Sequence, residues 1–203
     1  YRKNLWGKSD NLDLPFNSGP GSRNEDVVIP YMQSITEFLN FFPEKKDVVD
    51  MGCGDFFVGS KIRPLCKNYI ACDVVPEVIE FNSIKYASMN VDFRILDLSV
   101  DSLPEGDIIF VRQVLQHLSN DLILRFIPKI QNRFEYLILT EHLPSNEFVA
   151  NIDKSIGPDF RVSRGSGVVL TKPPFNLRVL EDLTLCEVNQ LNGVIQTKLY
   201  KLR

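Results

Sequence analysis

The sequence lacks several features that would define an environment or an architecture. Its 203 residues contain no apolar stretch near the roughly 20 residues that a membrane-spanning helix needs. The first residues do not resemble a signal peptide, and no internal repeat or low-complexity segment is present. We therefore expect a cytoplasmic protein, and the length predicts one domain.

Metal-binding cysteine pairs and basic clusters are also missing. Cys53, Cys66, Cys72 and Cys186 show no spacing typical of metal ligands, so we expect buried, reduced thiols. The net charge is −3, and no basic run is longer than Lys45-Lys46. Because phosphate contacts supply much of the affinity of nucleic-acid binders, this balance gives no reason to expect a nucleic-acid partner.

The most informative stretch that is present is Asp47-Val-Val-Asp-Met-Gly-Cys-Gly-Asp55. Its β-branched run indicates the end of a buried strand, and Gly52 and Gly54 permit a tight turn with no Cβ in the way. Residues 56–62 then suit an amphipathic helix. Strand, glycine turn and helix together form the crevice at the carboxyl edge of an open α/β sheet, where nucleotide-like ligands bind.

Acids end the next two predicted strands. Residues 69–75 read as a second strand with Asp73, which follows Gly54 by 19 residues. An acid about 20 residues beyond a glycine turn hydrogen-bonds ribose hydroxyls in dinucleotide-type folds. A third strand, 92–97, ends in Asp97, and a fourth, 107–112, leads into residues 113–120.

These motifs differ from the dehydrogenase pattern Gly-x-Gly-x-x-Gly, because Phe57 occupies the third glycine position and Asp50 stands two residues before the first glycine. Over residues 47–140 the pattern resembles the class I S-adenosylmethionine-dependent methyltransferases. Trp6-Gly7 and the Ser-Gly-x-Gly-Ser of residues 18–22 are similar to a bacterial subgroup of small-molecule and glycan enzymes. The resemblance implies S-adenosylmethionine (SAM) as cofactor.

The resemblance also implies which residues hold that cofactor. Asp50, Gly52 and Gly54 would hold its methionine part, and Arg112 and Gln113 would flank the methionine end and the substrate. Asp73 would bind both ribose hydroxyls, with Val74 beside it, and Asp97 with the backbone of Leu98 would read the adenine amino group. The alternative for Asp97 is an ordinary turn made by Asp-Leu-Ser.

The candidate catalytic residues follow predicted strands four and five. Strand five covers 136–140, so Glu141 and His142 would stand at the active edge of the sheet as general-base candidates for an alcohol acceptor. His117 is the third candidate, although its apolar, helical context favours a packed structural histidine. A carboxylate or phosphate acceptor would need no base. Nothing resembles a metal-dependent catechol site, so we expect no metal.

The predicted architecture is an α/β, Rossmann-like methyltransferase sheet of seven strands, mostly parallel, with a C-terminal antiparallel hairpin and helices on both faces. Within this single domain, 1–24 form a loop or lid, 25–140 the cofactor-binding core, and 141–203 a substrate loop and the closing hairpin. As a lid, Ser18, Gly19, Gly21 and Ser22 would lay backbone N–H groups over an anionic group; the alternative is a linker. We expect 147–152 to be a weak helix.

The resemblance implies methyl transfer to a small polar acceptor, with O-methylation of a sugar or surface-glycan precursor as the leading hypothesis. Lys172-Pro-Pro-Phe175 is similar to an N-methyltransferase signature but lacks its first amide or carboxylate and follows strand five. We therefore expect Pro173, Pro174 and Phe175 to pack the loop against the substrate cleft. The alternatives are an NAD-dependent oxidoreductase and a non-catalytic cofactor-binding module. The sequence leaves the oligomeric state open.

Overall fold

The computed structural model describes residues 22–191 and 193–203, so Trp6, Ser18, Gly19 and Gly21 lie outside the described residues. The α-helices are α1 (Glu25–Asn40), α2 (Phe57–Ile62), α3 (Pro76–Lys85) and α4 (Asn120–Ile130). The strands are β1 (Val48–Met51), β2 (Tyr69–Asp73), β3 (Asp92–Ile95), β4 (Ile108–Arg112), β5 (Tyr136–Pro144), β6 (Glu181–Gln190) and β7 (Gly193–Lys201). None of the helices in these described ranges has the length and hydropathy needed to cross a bilayer.

The strands form one seven-stranded sheet in the order β3-β2-β1-β4-β5-β7-β6. The first five are parallel, and β7 pairs antiparallel with both β5 and β6. This confirms the predicted mostly parallel sheet and its closing hairpin. The chain reverses direction across the sheet between β1 and β4, which is the switch point where open α/β sheets bind ligands.

Side-chain alternation along the central strands produces one apolar core on each face of the sheet. Val48 and Ile108 pack in the core that α1 and α2 cover, whereas Val49 and Ile109 pack in the core that α4 covers. Because neighbouring residues of a strand point to opposite faces, both faces need helices to bury them. The predicted helices on both faces are confirmed.

Strand β5 is longer than predicted. The sequence places its end at Thr140, but it continues to Pro144 because β7 supplies an antiparallel partner, pairing Glu141 with Gln196 and His142 with Ile195. Glu141 and His142 therefore lie within a central strand of the sheet rather than after its end.

The segment between β5 and β6 contains a short 3₁₀ helix, Arg161–Arg164, and the predicted helix over 147–152 does not form. Buried Asn151 holds this segment instead, since its side chain accepts from Val169 N and donates to Val169 O and Pro173 O. Phe175 packs in the core beneath α4 and does not line the central cleft. The prediction that Pro173, Pro174 and Phe175 pack this loop against a substrate cleft was therefore wrong.

Candidate functional site

A cleft of about 530 Å³ lies at the carboxyl ends of the central strands. Its volume falls within the range of about 300–1,000 Å³ that is typical of small-molecule sites. The cleft brings together every predicted cofactor-binding residue, and one predicted catalytic residue joins them. These lining residues are Ser22, Asp50, Gly52, Gly54, Asp73, Val74, Asp97, Leu98, Arg112, Gln113 and His117.

The glycine turn after β1 forms the floor of the cleft. Gly52 and Gly54 have φ values of 80° and 54°, in a backbone region that residues other than glycine rarely adopt. The amides of Gly52 and Cys53 both donate to the carbonyl of Cys72 on β2, at 2.8 and 2.9 Å. A Cβ on Gly52 would lie 2.4 Å from Val114 Cγ2. Both the conformation and the packing therefore require glycine here.

The glycine turn leads into α2 through a large residue, Phe56. Phe56 has φ 58° and precedes α2, and its buried ring packs edge-on against Tyr69, Tyr86 and Phe93. The Phe56 ring packs closely against the backbone of Gly59, where a Cβ would lie 2.3 Å from that ring. Sequence reasoning missed Gly59, although a glycine in the first turns of the predicted helix was the available signal.

Asp73 fixes the turn to the end of β2. Its Oδ2 accepts from Gly54 N at 3.1 Å, and its Oδ1 accepts from Val75 N at 3.0 Å. Burial raises the pKa of this carboxyl, while the hydrogen bonds from Val75 and Gly54 oppose the rise. A carboxylate has about four acceptor positions. Asp73 therefore keeps acceptor capacity toward the cleft that it lines.

Asp97 makes the local turn that was its alternative interpretation. Its Oδ1 accepts from both the amide and the hydroxyl of Ser99, at 2.8 and 2.7 Å. The next carbonyl, Leu98 O, accepts from Lys129 Nζ of α4 at 3.0 Å. The turn and Lys129 fix the end of the cleft nearest β3, and Asp97 and Leu98 line the cleft there.

A buried polar group lies under the opposite end of the cleft. Tyr69 Oη donates to Asp50 Oδ2 at 2.9 Å, and the Arg112 guanidinium stacks 5.0 Å from the centre of the Tyr31 ring. Burial raises the pKa of Asp50 to about 6, against the opposing effects of the Tyr69 hydroxyl and Arg112. Burial also lowers the pKa of Arg112. Sequence reasoning missed Tyr31, which lies in α1, outside the glycine and acid motifs.

The start of the described chain is tied to the glycine turn. Ser22 is buried and lines the cleft. Arg23 donates to Asp55 Oδ2 through Nε and Nη2, at 3.1 and 2.6 Å, and its guanidinium stacks 4.6 Å from the centre of the Phe57 ring. These contacts fix the start of the described chain beside the glycine turn.

The three candidate catalytic residues are not brought together. Glu141 is buried, and its Oε1 accepts from Leu115 N at 3.0 Å; burial raises its pKa to about 8. His142 Nε2 lies 3.1 Å from Gln190 O on β6. Neither is among the described residues that line the cleft, whereas His117 is. The general-base roles of all three stay predictions.

No family model matches the sequence, and no curated protein matches it either. Solved structures do share its fold. The N-methyltransferase NodS from Bradyrhizobium japonicum WM9, in complex with S-adenosylhomocysteine (SAH), superimposes with a TM-score of 0.66 at 15% identity, covering 99% of this chain and 95% of that one. The N-terminal domain of EvdMO1, in the presence of SAH and D-fucose, gives 0.64 at 14% identity, covering 99% and 94%.

A SAM-dependent methyltransferase from Leishmania major gives a TM-score of 0.62 at 16% identity, covering 89% of this chain and 74% of that one. At such low identities these similarities establish the fold. The chain has the Rossmann-like fold of the class I SAM-dependent methyltransferases, as the motifs predicted.

Proposed function

We propose that this protein is a SAM-dependent methyltransferase that acts on a small-molecule acceptor. The observation that carries the proposal is the convergence of the left-handed glycine turn with Asp50, Asp73 and Asp97 in one cleft at the switch point of the sheet. In dinucleotide-type folds this edge binds the nucleoside, and the acid after the second strand binds its ribose.

The donor set fits the cofactor part by part. We assign Asp73 and the adjoining Val74 to the ribose, and Asp97 with Leu98 to the adenine. The glycine turn gives the backbone close access to the methionine part, where a Cβ on Gly52 would intrude toward Val114. Arg112, half-buried in the floor of the cleft, is the cation that we assign to the methionine carboxylate, with Asp50, Gln113 and Ser22 around it.

When bound, SAM supplies a methyl group that is already activated by its sulfonium charge. That methyl group would be transferred to a lone pair of the acceptor with SAH as the leaving group, and a hydroxyl acceptor would also have to pass its proton to a base. The residues of this chain have to position the acceptor in line at near-attack distance and to exclude bulk water.

We further propose that the acceptor is a small polar molecule methylated on oxygen, such as a sugar. Beyond Gln113 the cleft is lined by His117, Leu118, Leu122 and residues 156–158 and 160. These described residues offer apolar surface for the carbon face of a ring. Among the structures with the same fold, EvdMO1 was studied with D-fucose, which is a sugar.

Calorimetric titration with SAM, SAH and NAD tests the proposal. We expect SAM and SAH to bind and NAD not to bind. Asp73→Ala should weaken SAH binding at least about tenfold, because a hydrogen bond to a charged group contributes roughly 1.5–3 kcal/mol. Asp121→Ala is the matched control, since Asp121 is exposed on α4 and outside the cleft.

Three outcomes would contradict the proposal in different ways. Binding of NAD alone would favour the oxidoreductase alternative. Binding of none of the three by a folded sample would remove the cofactor site altogether. Equal affinities of the Asp73 and Asp121 variants for SAH would remove Asp73 from the ribose site.

A further inference from the structure

His117 connects two segments that border the acceptor end of the cleft. It ends the 3₁₀ helix Leu115–His117 that follows β4, and its Nδ1 lies 3.2 Å from the carbonyl of Gly157 in the segment between β5 and β6. Its Nε2 lies 3.3 Å from Gln116 Nε2. Which ring nitrogen carries the proton depends on the orientation of the Gln116 amide.

The orientation of that amide is fixed by two backbone groups. His142 N, which is only a donor, lies 3.3 Å from Gln116 Oε1, and Gln113 O, which is only an acceptor, lies 3.5 Å from Gln116 Nε2. The NH₂ group therefore faces His117, and because NH₂ only donates, His117 Nε2 accepts. The imidazole proton then sits on Nδ1 and is donated to Gly157 O, which is itself only an acceptor.

The charges around the ring favour this neutral form. Lys154 Nζ donates to His117 O at 3.4 Å and to Gly157 O at 3.2 Å, and the Arg161 guanidinium donates to Leu118 O at 2.6 Å. Both cations are buried, and the nearest carboxylate of this segment, on Asp159, is 3.9 Å from Lys154 Nζ. Burial, reinforced by Lys154, lowers the pKa of His117 to about 4, although the Gly157 carbonyl and Asp159 act in the opposite direction.

We propose that His117 is a positioning residue, which holds the segment 156–160 against the acceptor end of the cleft through its Nδ1–H bond to Gly157 and does not take the acceptor's proton. Ile156, Pro158 and Phe160 of that segment line the cleft, and the Phe160 ring lies 5.4 Å from the His117 ring. The identification of this end of the cleft as an acceptor site rests on the proposed function. The His117 tautomer and its contact with Gly157 do not depend on it.

Two substitutions separate the ring nitrogens. In His117→Asn the side-chain amide reaches about as far as Nδ1, so it can still donate to Gly157 O. In His117→Gln the amide reaches about as far as Nε2, so the bond to Gly157 is lost. If His117 acted through Nε2, as a general base would, neither variant would replace it, or the Gln variant would replace it better than the Asn variant.

Hydrogen exchange over residues 154–161 and SAH affinity are the first readouts. We expect the exchange rate and the SAH affinity of His117→Asn to stay within about twofold of wild type. We expect His117→Gln to speed exchange about fivefold to tenfold, the effect of losing one hydrogen bond. Equal exchange in the two variants, or better retention in the Gln variant, would overturn the proposal.

Nitrogen-15 NMR of the wild-type imidazole provides a second readout that needs no variant and no ligand. The expected spectrum shows a neutral His117 with the proton on Nδ1 at pH 7. A proton on Nε2, or an imidazolium at that pH, would overturn the proposal even if neither variant folds. Failure of wild type to bind SAH would instead contradict the proposed function and leave this result unaffected.

Discussion

Replacement of Glu141 by glutamine should make the protein more stable at high pH, and the structure sets the size of the effect. The Glu141 side chain is 2% exposed. Its Oε1 accepts from Leu115 N, and its Oε2 has no hydrogen-bond partner among the described residues. Burial raises its pKa from 4.5 to about 8, against the opposing effects of the Leu115 and Gln116 amides and Arg161. The folded protein therefore favours the neutral carboxyl.

The sign follows from proton linkage. Between the unfolded pKa and the folded pKa, the folded state binds one more proton than the unfolded state, so the free energy of unfolding falls as the pH rises. The favourable contribution is complete below about pH 4.3 and is lost as the pH rises toward 8. Each pH unit in this window costs about 1.4 kcal/mol, so wild type should lose roughly 3–4 kcal/mol between pH 5 and pH 8 relative to Glu141→Gln.

Urea denaturation of both proteins at pH 5, 6, 7 and 8 measures this difference. Because other groups titrate equally in both proteins, the difference between the two free energies of unfolding isolates Glu141. Glu80→Gln, at an exposed site on α3, is the control and should follow wild type at every pH. A difference for Glu141→Gln that does not change with pH would refute the reasoning, since it would mean that the buried carboxyl is already ionised.

Two further predictions concern the floor of the cleft. Gly59→Ala should lower the free energy of unfolding by about 1–3 kcal/mol, because the added Cβ would lie 2.3 Å from the Phe56 ring and overpacking outweighs the better helix propensity of alanine. Denaturant unfolding should show a smaller loss in a Phe56→Leu background, and an equal loss would contradict the clash. Tyr69→Phe should raise the Asp50 pKa above its value of about 6 by about one to two units, because a hydrogen bond to the charged carboxylate is lost; an unchanged carbon-13 titration of Asp50 would contradict that bond.

The half of the cleft that we assign to the cofactor was predictable because its signals are local in sequence. Gly52 and Gly54 need positive φ, and the acids Asp73 and Asp97 stand at or just beyond the ends of short strands whose aliphatic and aromatic residues are visible without any tertiary partner. Parallel strands bring their carboxyl ends to one edge, so strand order alone gathers these residues. The fold followed from the same alternation of strands and helices.

The positions of Glu141 and His142 were not predictable from the same signals. The end of β5 depends on β7, which lies about 55 residues later in sequence and extends the ladder by four residues past Thr140. When a distant antiparallel partner determines where a strand ends, the residues near that end carry no sequence signal for it. As a result, two side chains that sequence reasoning placed at the active edge instead bond to the protein's own backbone, at Leu115 N and Gln190 O.

The acceptor half is hard to read from sequence for a chemical reason as well. A reaction whose donor is already activated asks the protein mainly for position, and position is set by contacts such as His117 with Gly157 and Arg161 with Leu118, each joining segments about 40 residues apart. Lysine and arginine that are buried to hold carbonyl groups look in sequence like surface charges. Their burial is a property of the fold, because the carbonyl acceptors that offset the loss of their hydration, at His117, Leu118 and Gly157, come from two segments that only folding brings together. The features of the proposed acceptor end therefore lie in tertiary hydrogen bonds, whereas those of the proposed cofactor end lie in the order of glycines and acids along the sequence.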